Sequence, residues 1–203
     1  MRFLPAGRSA VLVEVDDLET VIALASALRR DPPAGVIDVV PAARTLLLIH
    51  DESTSMSKLA DRLRDQPLDP ASERGGEPVE ISVTYDGEDL ADVAKQTRLS
   101  EEEVARRHAA ADYTVAFIGF APGFAYLVGG DPALHVARRD SPRTKVPAGS
   151  VALAGEFTGV YPREAPGGWQ LVGRTAATLW DLDRDPPALL TPGTAVRFVA
   201  GDQ

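Results

Sequence analysis

Gly119-Phe120-Ala121-Pro122-Gly123-Phe124-Ala125-Tyr126-Leu127 sets the texture of the second half of the chain. It opens residues 119–174, which hold 10 of the 17 glycines and 6 of the 16 prolines, with apolar residues in short bursts instead of helical periods. Such punctuation predicts many tight turns and closely approaching backbones, hence a β-barrel or sandwich. The pattern runs on through the turn Thr191-Pro192-Gly193 to a last strand expected over 195–200.

Upstream the patterning is different. Val11, Val13 and Val15 alternate as a half-buried strand should. Asp16 and Glu19 then stand three apart, a capping-box-like start, and Leu18, Val21, Ile22, Ala25 and Leu28 follow at helical spacing to Arg29-Arg30. Residues 36–40 and 45–50 read as a hairpin, and Met56, Leu59, Ala60 and Leu63 as a second amphipathic helix. Residues 67–78 form a polar linker with Pro70 and Gly75-Gly76, after which Val79, Ile81, Val83 and Tyr85 alternate again. The order βαββα suggests a split-βαβ, ferredoxin-like unit. Spacing alone leaves open whether the 79–85 strand completes that unit or begins the next. With the boundary placed at 78, the expected class is α+β: a small N-terminal α/β domain over 1–78 and a β-barrel domain over 79–203. A helical bridge joins them, its second helix opened by Ser100-Glu101-Glu102-Glu103, a full capping box.

The 203 residues suffice for one large domain or two of about 100 residues each. No run approaches the roughly 18 apolar residues of a membrane span, and the start lacks a signal-peptide pattern, so a cytoplasmic address and no membrane partner are expected. With no cysteine, thiolate metal sites and thiol nucleophiles are excluded, and three scattered histidines suggest no metal centre. A net charge of −9 argues against a nucleic-acid partner.

Against that acidic background, Arg138, Arg139, Arg143 and Lys145 cluster with only Asp140 among them in sequence. Arginine forks suit carboxylate or phosphate oxygens. Pro142 and Pro147 stiffen the flanks, and Gly149-Ser150 adds backbone N–H groups and a hydroxyl, so the segment is a candidate anion site. A solvated basic loop is the competing reading. Phe120 and Phe124 read as barrel core; Tyr161 and Trp169, beside Pro162 and Gly167-Gly168, read equally as core or as a ligand-facing wall. His108 is a candidate general base, weighed against a hydrogen-bonded core histidine. Ser150 lacks the Gly-x-Ser-x-Gly elbow of a serine hydrolase, and neither phosphate-binding glycine motif is present.

Three segments, Gly-Phe-x-Pro-Gly-Phe-x-Tyr-Leu at 119–127, Pro-Arg-x-x-Val-Pro-Ala-Gly-Ser at 142–150 and Pro-Gly-Gly-Trp at 166–169, together resemble the family of allophanate hydrolase subunit 1, which includes KipI-type proteins and B subunits of 5-oxoprolinases. The resemblance extends more loosely over the whole chain. It implies a small α/β domain followed by an eight-stranded cyclophilin-like barrel. It further implies a hydrolase subunit in ATP-dependent opening of 5-oxoproline to glutamate, with ATP and magnesium bound by the assembled complex. The implied partners are a C-type subunit of the allophanate hydrolase subunit 2 family and an A-type subunit. The alternatives within the family are inhibition of a sensor histidine kinase and the carboxyltransferase half of a urea carboxylase. On this reading Arg138, Arg139, Arg143, Gly149, Tyr161 and Trp169 bind substrate, while Ser150 and His108 serve positioning and proton transfer. The sequence departs from the family's usual pattern at Arg8 in place of Asp, Phe157 in place of Gln and Ala165 in place of Ser.

Overall fold

A computed structural model describes residues 1–67 and 77–201, which leaves most of the linker read at 67–78 outside the described residues. The chain divides into two compact units, Met1–Glu73 and Arg74–Gln203.

In the first unit the Val11/Val13 alternation does form a strand, β2 (Ala10–Glu14), and an N-terminal strand that the sequence reading missed, β1 (Arg2–Pro5), pairs antiparallel with it. Helix α1 (Leu18–Arg30) is capped by Asp17, whose carboxylate accepts from Thr20 N at 2.7 Å; the cap is one residue later than the Asp16 expected. β3 (Val36–Pro41) and β4 (Thr45–His50) form the expected hairpin, followed by α2 (Met56–Arg64). The sheet order is β1-β2-β4-β3 and every neighbouring pair is antiparallel. β2 and β3 therefore run in the same direction with β4 between them, a split βαβ. The remaining edge is filled by β1 from the N-terminus, not by the strand after the linker. Val11, Val13, Val21, Leu24, Leu28, Leu46, Leu48 and Leu63 close one core between sheet and helices. Burial of each such side chain contributes about 1.5–3 kcal/mol.

The second unit begins with β5 (Val79–Val83), whose place the spacing left open. It pairs in parallel with the last strand, β13 (Ala195–Ala200), and so belongs here. Between them lie α3 (Leu90–Thr97), α4 (Glu101–Ala110), β6 (Asp112–Ile118), β7 (Ala125–Val128), β8 (Arg143–Val146), β9 (Ser150–Ala154), β10 (Phe157–Val160), β11 (Ala165–Gly167) and β12 (Gln170–Arg174). Seven strands make one sheet in the order β12-β9-β10-β7-β6-β13-β5, where the resemblance implies eight, and β8 and β11 form a separate ribbon. The two outer strands meet: Thr84 N donates to Arg174 O and Arg174 N to Thr84 O, each at 2.9 Å, so the sheet is nearly closed into a barrel.

Strand β9 shows why this half lacks alternation. Val151 and Leu153 face the barrel core with Ile81, Val83, Leu127, Val172 and Phe198. Ala152 and Ala154 face a second apolar cluster with Phe124, Tyr161, Trp169 and Leu171. A strand buried on both faces reads as a continuous apolar run. Among the described residues no helix is long and apolar enough to cross a membrane.

Candidate functional site

Two arginines of the basic cluster, Arg139 and Arg143, find their partner far upstream in sequence. Asp89, at the start of α3, is 1% exposed, and its carboxylate takes both arms of Arg143: Nη1 to Oδ2 and Nη2 to Oδ1, each at 2.8 Å. Arg139 Nη1 also donates to Oδ1, and Leu171 N donates to Oδ2 at 2.8 Å. Burial pushes the Asp89 pKa up; the bonds from Arg143 and Leu171 and the two guanidinium charges outweigh it, so the group stays below its ordinary range. Arg143 Nε reaches Glu88 at 3.2 Å, and Lys145 pairs with Glu164 at 3.2 Å. The expectation that these cations face only Asp140 is thus corrected, and three of the four are neutralised within the fold.

Arg138 is the exception. Among the described residues it forms no ion pair, and its guanidinium stands 6.0 Å from the centroid of the Trp169 ring, at the limit of a cation–π contact. Burial pushes the nearby Tyr126 phenol up, and the Arg138 charge opposes that shift. Two open grooves flank Arg138. One, of about 420 Å³, is lined by Asp92, Gln96, Asp140, Ser141 and Gln170. The other, of about 460 Å³, is lined by Ala154, Gly155, Glu156 and Phe157. The second groove combines a free cation, the carboxylate of Glu156 and an aromatic face. Nothing in the local sequence distinguished Glu156 beforehand.

The remaining candidates lie in the framework. Gly149 has φ +79, its N donates to Tyr161 O at 2.7 Å and its O accepts from Thr175 N at 2.8 Å. Ser150 is buried, and its hydroxyl donates to Pro147 O at 2.8 Å. The free amides and hydroxyl read for this pair are therefore engaged in the turn. Tyr161 and Trp169 are 2% and 5% exposed, packed edge-to-face on Phe124. Phe120, expected in the core, is 58% exposed. It has φ +67 with Ala121 N donating to Gly119 O at 2.8 Å, a γ-turn of the rarer, strained hand.

His108 is fully buried between Tyr113 and Phe198. The bonds around it determine its tautomer. Thr158 donates its hydroxyl proton to Ala152 O, so its oxygen accepts from His108 Nε2–H at 2.9 Å. Nδ1 then accepts from the Tyr85 hydroxyl at 2.8 Å. Burial lowers the imidazole pKa to about 3. The ring is neutral at physiological pH and reached by no groove described above.

Residues 1–190 match the family described as carboxyltransferase domain, subdomain C and D. The chain is 41% identical to the B subunit of 5-oxoprolinase from Escherichia coli O157:H7, over 95% of this chain and 93% of that protein. The crystal structure of TTHA0988 matches with a TM-score of 0.78 at 41% identity, covering 96% of this chain; the chain spans only 40% of that longer one. The urea carboxylase of Kluyveromyces lactis matches at 21% identity with a TM-score of 0.71, over 98% of this chain and 22% of that one, a likeness of fold alone.

Proposed function

Since the chain belongs to the carboxyltransferase domain, subdomain C and D, family, we propose that it is the B subunit of an ATP-dependent 5-oxoprolinase. Such an enzyme opens the lactam of 5-oxoproline to glutamate, here in an active site shared with a C-type subunit and working with an A-type subunit in the cytoplasm. The observation that carries this reading is the identity of 41% to a protein of that name over nearly the full length of both. The site geometry is consistent with it. 5-Oxoproline is a small anion with a nearly flat ring, and the groove beside Arg138 offers a free guanidinium for its carboxylate, Phe157 for its ring face and Glu156 to accept from the lactam N–H. Arg139, Arg143, Gly149 and Ser150 serve the surrounding framework through the bonds described above, and Ala154 of the groove packs in one apolar cluster with Tyr161 and Trp169. The second unit, on this reading, is the cyclophilin-like domain of the family and the first its ferredoxin-like companion.

The described residues do not make a cradle for magnesium and a triphosphate. No three carboxylates or histidines among them are grouped to hold a metal ion, and the Gly149 amide and the Arg139, Arg143 and Lys145 side chains are already bonded within the chain. ATP is therefore assigned to the assembled complex, and no step through it is derived from this chain.

The test is 5-oxoproline-dependent ATP hydrolysis by a mixture of A-, B- and C-type subunits, with and without this chain. Activity that vanishes on omission is expected. In the same assay Arg138→Ala removes one charge-assisted contact, about 2 kcal/mol, and raises KM for 5-oxoproline roughly thirtyfold. A change within threefold sinks the assignment of Arg138.

One observation favours a second reading, KipI-like binding to a histidine kinase. Phe120 and Leu182 are 58% and 80% exposed, and the first is held out by a strained turn. Titration against a kinase dimerisation helix decides it: tight binding with no effect of 5-oxoproline would favour this alternative.

A further inference from the structure

We infer that Asp89 is a positioning residue for substrate recognition, acting through Arg139 on Arg138; this rests on the assignment of the Arg138 groove made above. Each oxygen of the Asp89 carboxylate takes two donors, Arg139 and Arg143 on Oδ1 and Arg143 and Leu171 N on Oδ2. No lone pair is left for a ligand or a proton in transit, so Asp89 neither binds substrate nor acts as a base. Two guanidiniums on one buried carboxylate are also a poor device for stability alone, because desolvation of the charges offsets most of their attraction.

What the arrangement does fix is the backbone at 137–139. Ala137 O accepts from Gln170 Nε2 at 3.0 Å, and Arg139 N donates to Gly168 O at 2.8 Å. The Arg139 side chain is then drawn to Asp89. Both neighbours of Arg138 are thereby tied down, and the bonds on Gly168 and Gln170 bracket Trp169, the ring over which Arg138 stands. Arg139 goes to the buried carboxylate and Arg138 is left for the groove. Without Asp89, Arg139 becomes a second loose cation beside the first, and the segment loses the tether that sets the direction of Arg138.

The experiment is steady-state kinetics of the assembled complex with Asp89→Asn, Arg138→Ala and the double variant, alongside Arg139→Met. The last cuts the tether while leaving the bidentate Arg143–Asp89 pair in place. We expect Asp89→Asn and Arg139→Met each to raise KM for 5-oxoproline about tenfold with kcat within twofold. On the Asp89→Asn background, Arg138→Ala should add less than its full effect, because the aim of Arg138 is already lost. A merely structural role predicts the opposite split, a lower kcat from fewer folded molecules at unchanged KM. That result, or full multiplication of the two effects, overturns the inference. If Asp89→Asn does not fold, the KM of Arg139→Met decides alone, an unchanged value being the overturning result. If Arg138→Ala itself leaves KM unchanged, the groove assignment is what fails, and the role of Asp89 falls with it.

Discussion

Replacing His108 with Gln should remove most of the acid sensitivity of the second unit between pH 7.5 and 5. Burial holds the folded imidazole at about 3, against an ordinary value of 6.5. A folded pKa below the unfolded one means that the unfolded chain binds the proton first, so stability is intact above pH 6.5 and is lost as pH falls from there toward 3. At pH 5 the unfolded imidazole lies about 1.5 pH units below its pKa and the folded one is still neutral, which amounts to about 2 kcal/mol. The local bonding gives the reason: an imidazolium must donate from both nitrogens, but Nδ1 faces a Tyr85 hydroxyl already donating to it. Gln cannot titrate, so the variant forgoes this loss while being less stable at pH 7.5, where the bonds to Tyr85 and Thr158 are imperfectly replaced. The assay is urea denaturation followed by tryptophan fluorescence at each pH. Both tryptophans, Trp169 and Trp180, lie in the second unit, so the signal reports on it specifically. The gap between wild type and variant should shrink by about 2 kcal/mol from pH 7.5 to 5. A gap that stays constant with pH would mean that His108 titrates normally in the folded protein, and would refute the buried, neutral assignment.

Other perturbations have equally direct readouts. Gly149→Ala places a Cβ 2.2 Å from Thr175 O at φ +79, whereas Gly155→Ala, at φ +59, meets nothing within 4 Å. The first should cost about 3 kcal/mol and the second about 1 kcal/mol in urea denaturation, the difference being the clash alone. Leu24→Ala, at a fully buried site in the first unit, should destabilise that unit by about 3–5 kcal/mol, measured by circular dichroism. Arg138→Ala should leave the unfolding free energy from urea denaturation within about 0.5 kcal/mol of wild type, as befits an exposed residue with no ion pair among the described residues; a larger drop would identify it as structural.

Sequence reading succeeded where the physics is local. Alternation at Val11 and Val13 specified a strand, and helical spacing at Leu59, Ala60 and Leu63 specified a buried helix face. Ser100 does cap α4, accepting from Glu103 N at 3.1 Å, but Glu103 itself pairs with Arg106 and Arg107 instead of closing the box. Reading failed where the decisive contact spans the chain. The four clustered cations looked alike because the carboxylate shared by Arg139 and Arg143, Asp89, stands about fifty residues upstream, and only the fold reveals that Arg138 is the one of the four left free. The aromatics were undecided or misplaced for a related reason: Tyr161 and Trp169, left open between core and wall, pack in the core because β9 buries both its faces, while Phe120, expected in the core, is carried outward by a γ-turn. Neither property has a signature in residue type.

The parallel pairing of β5 with β13 also governs when the protein can fold during synthesis. Val79 sits opposite Val196, and the nearly closed sheet needs both strands. A ribosome must therefore deliver the last strand before this unit can close, and until then β5 and β6 lack the strand that lies between them. The first unit is released from that wait, since its sheet and both helices are finished by Arg64. Contacts of such long sequence separation form slowly and leave intermediates prone to association. Rare codons or chaperone contacts would matter most between the emergence of β9, apolar on both sides, and the arrival of β13.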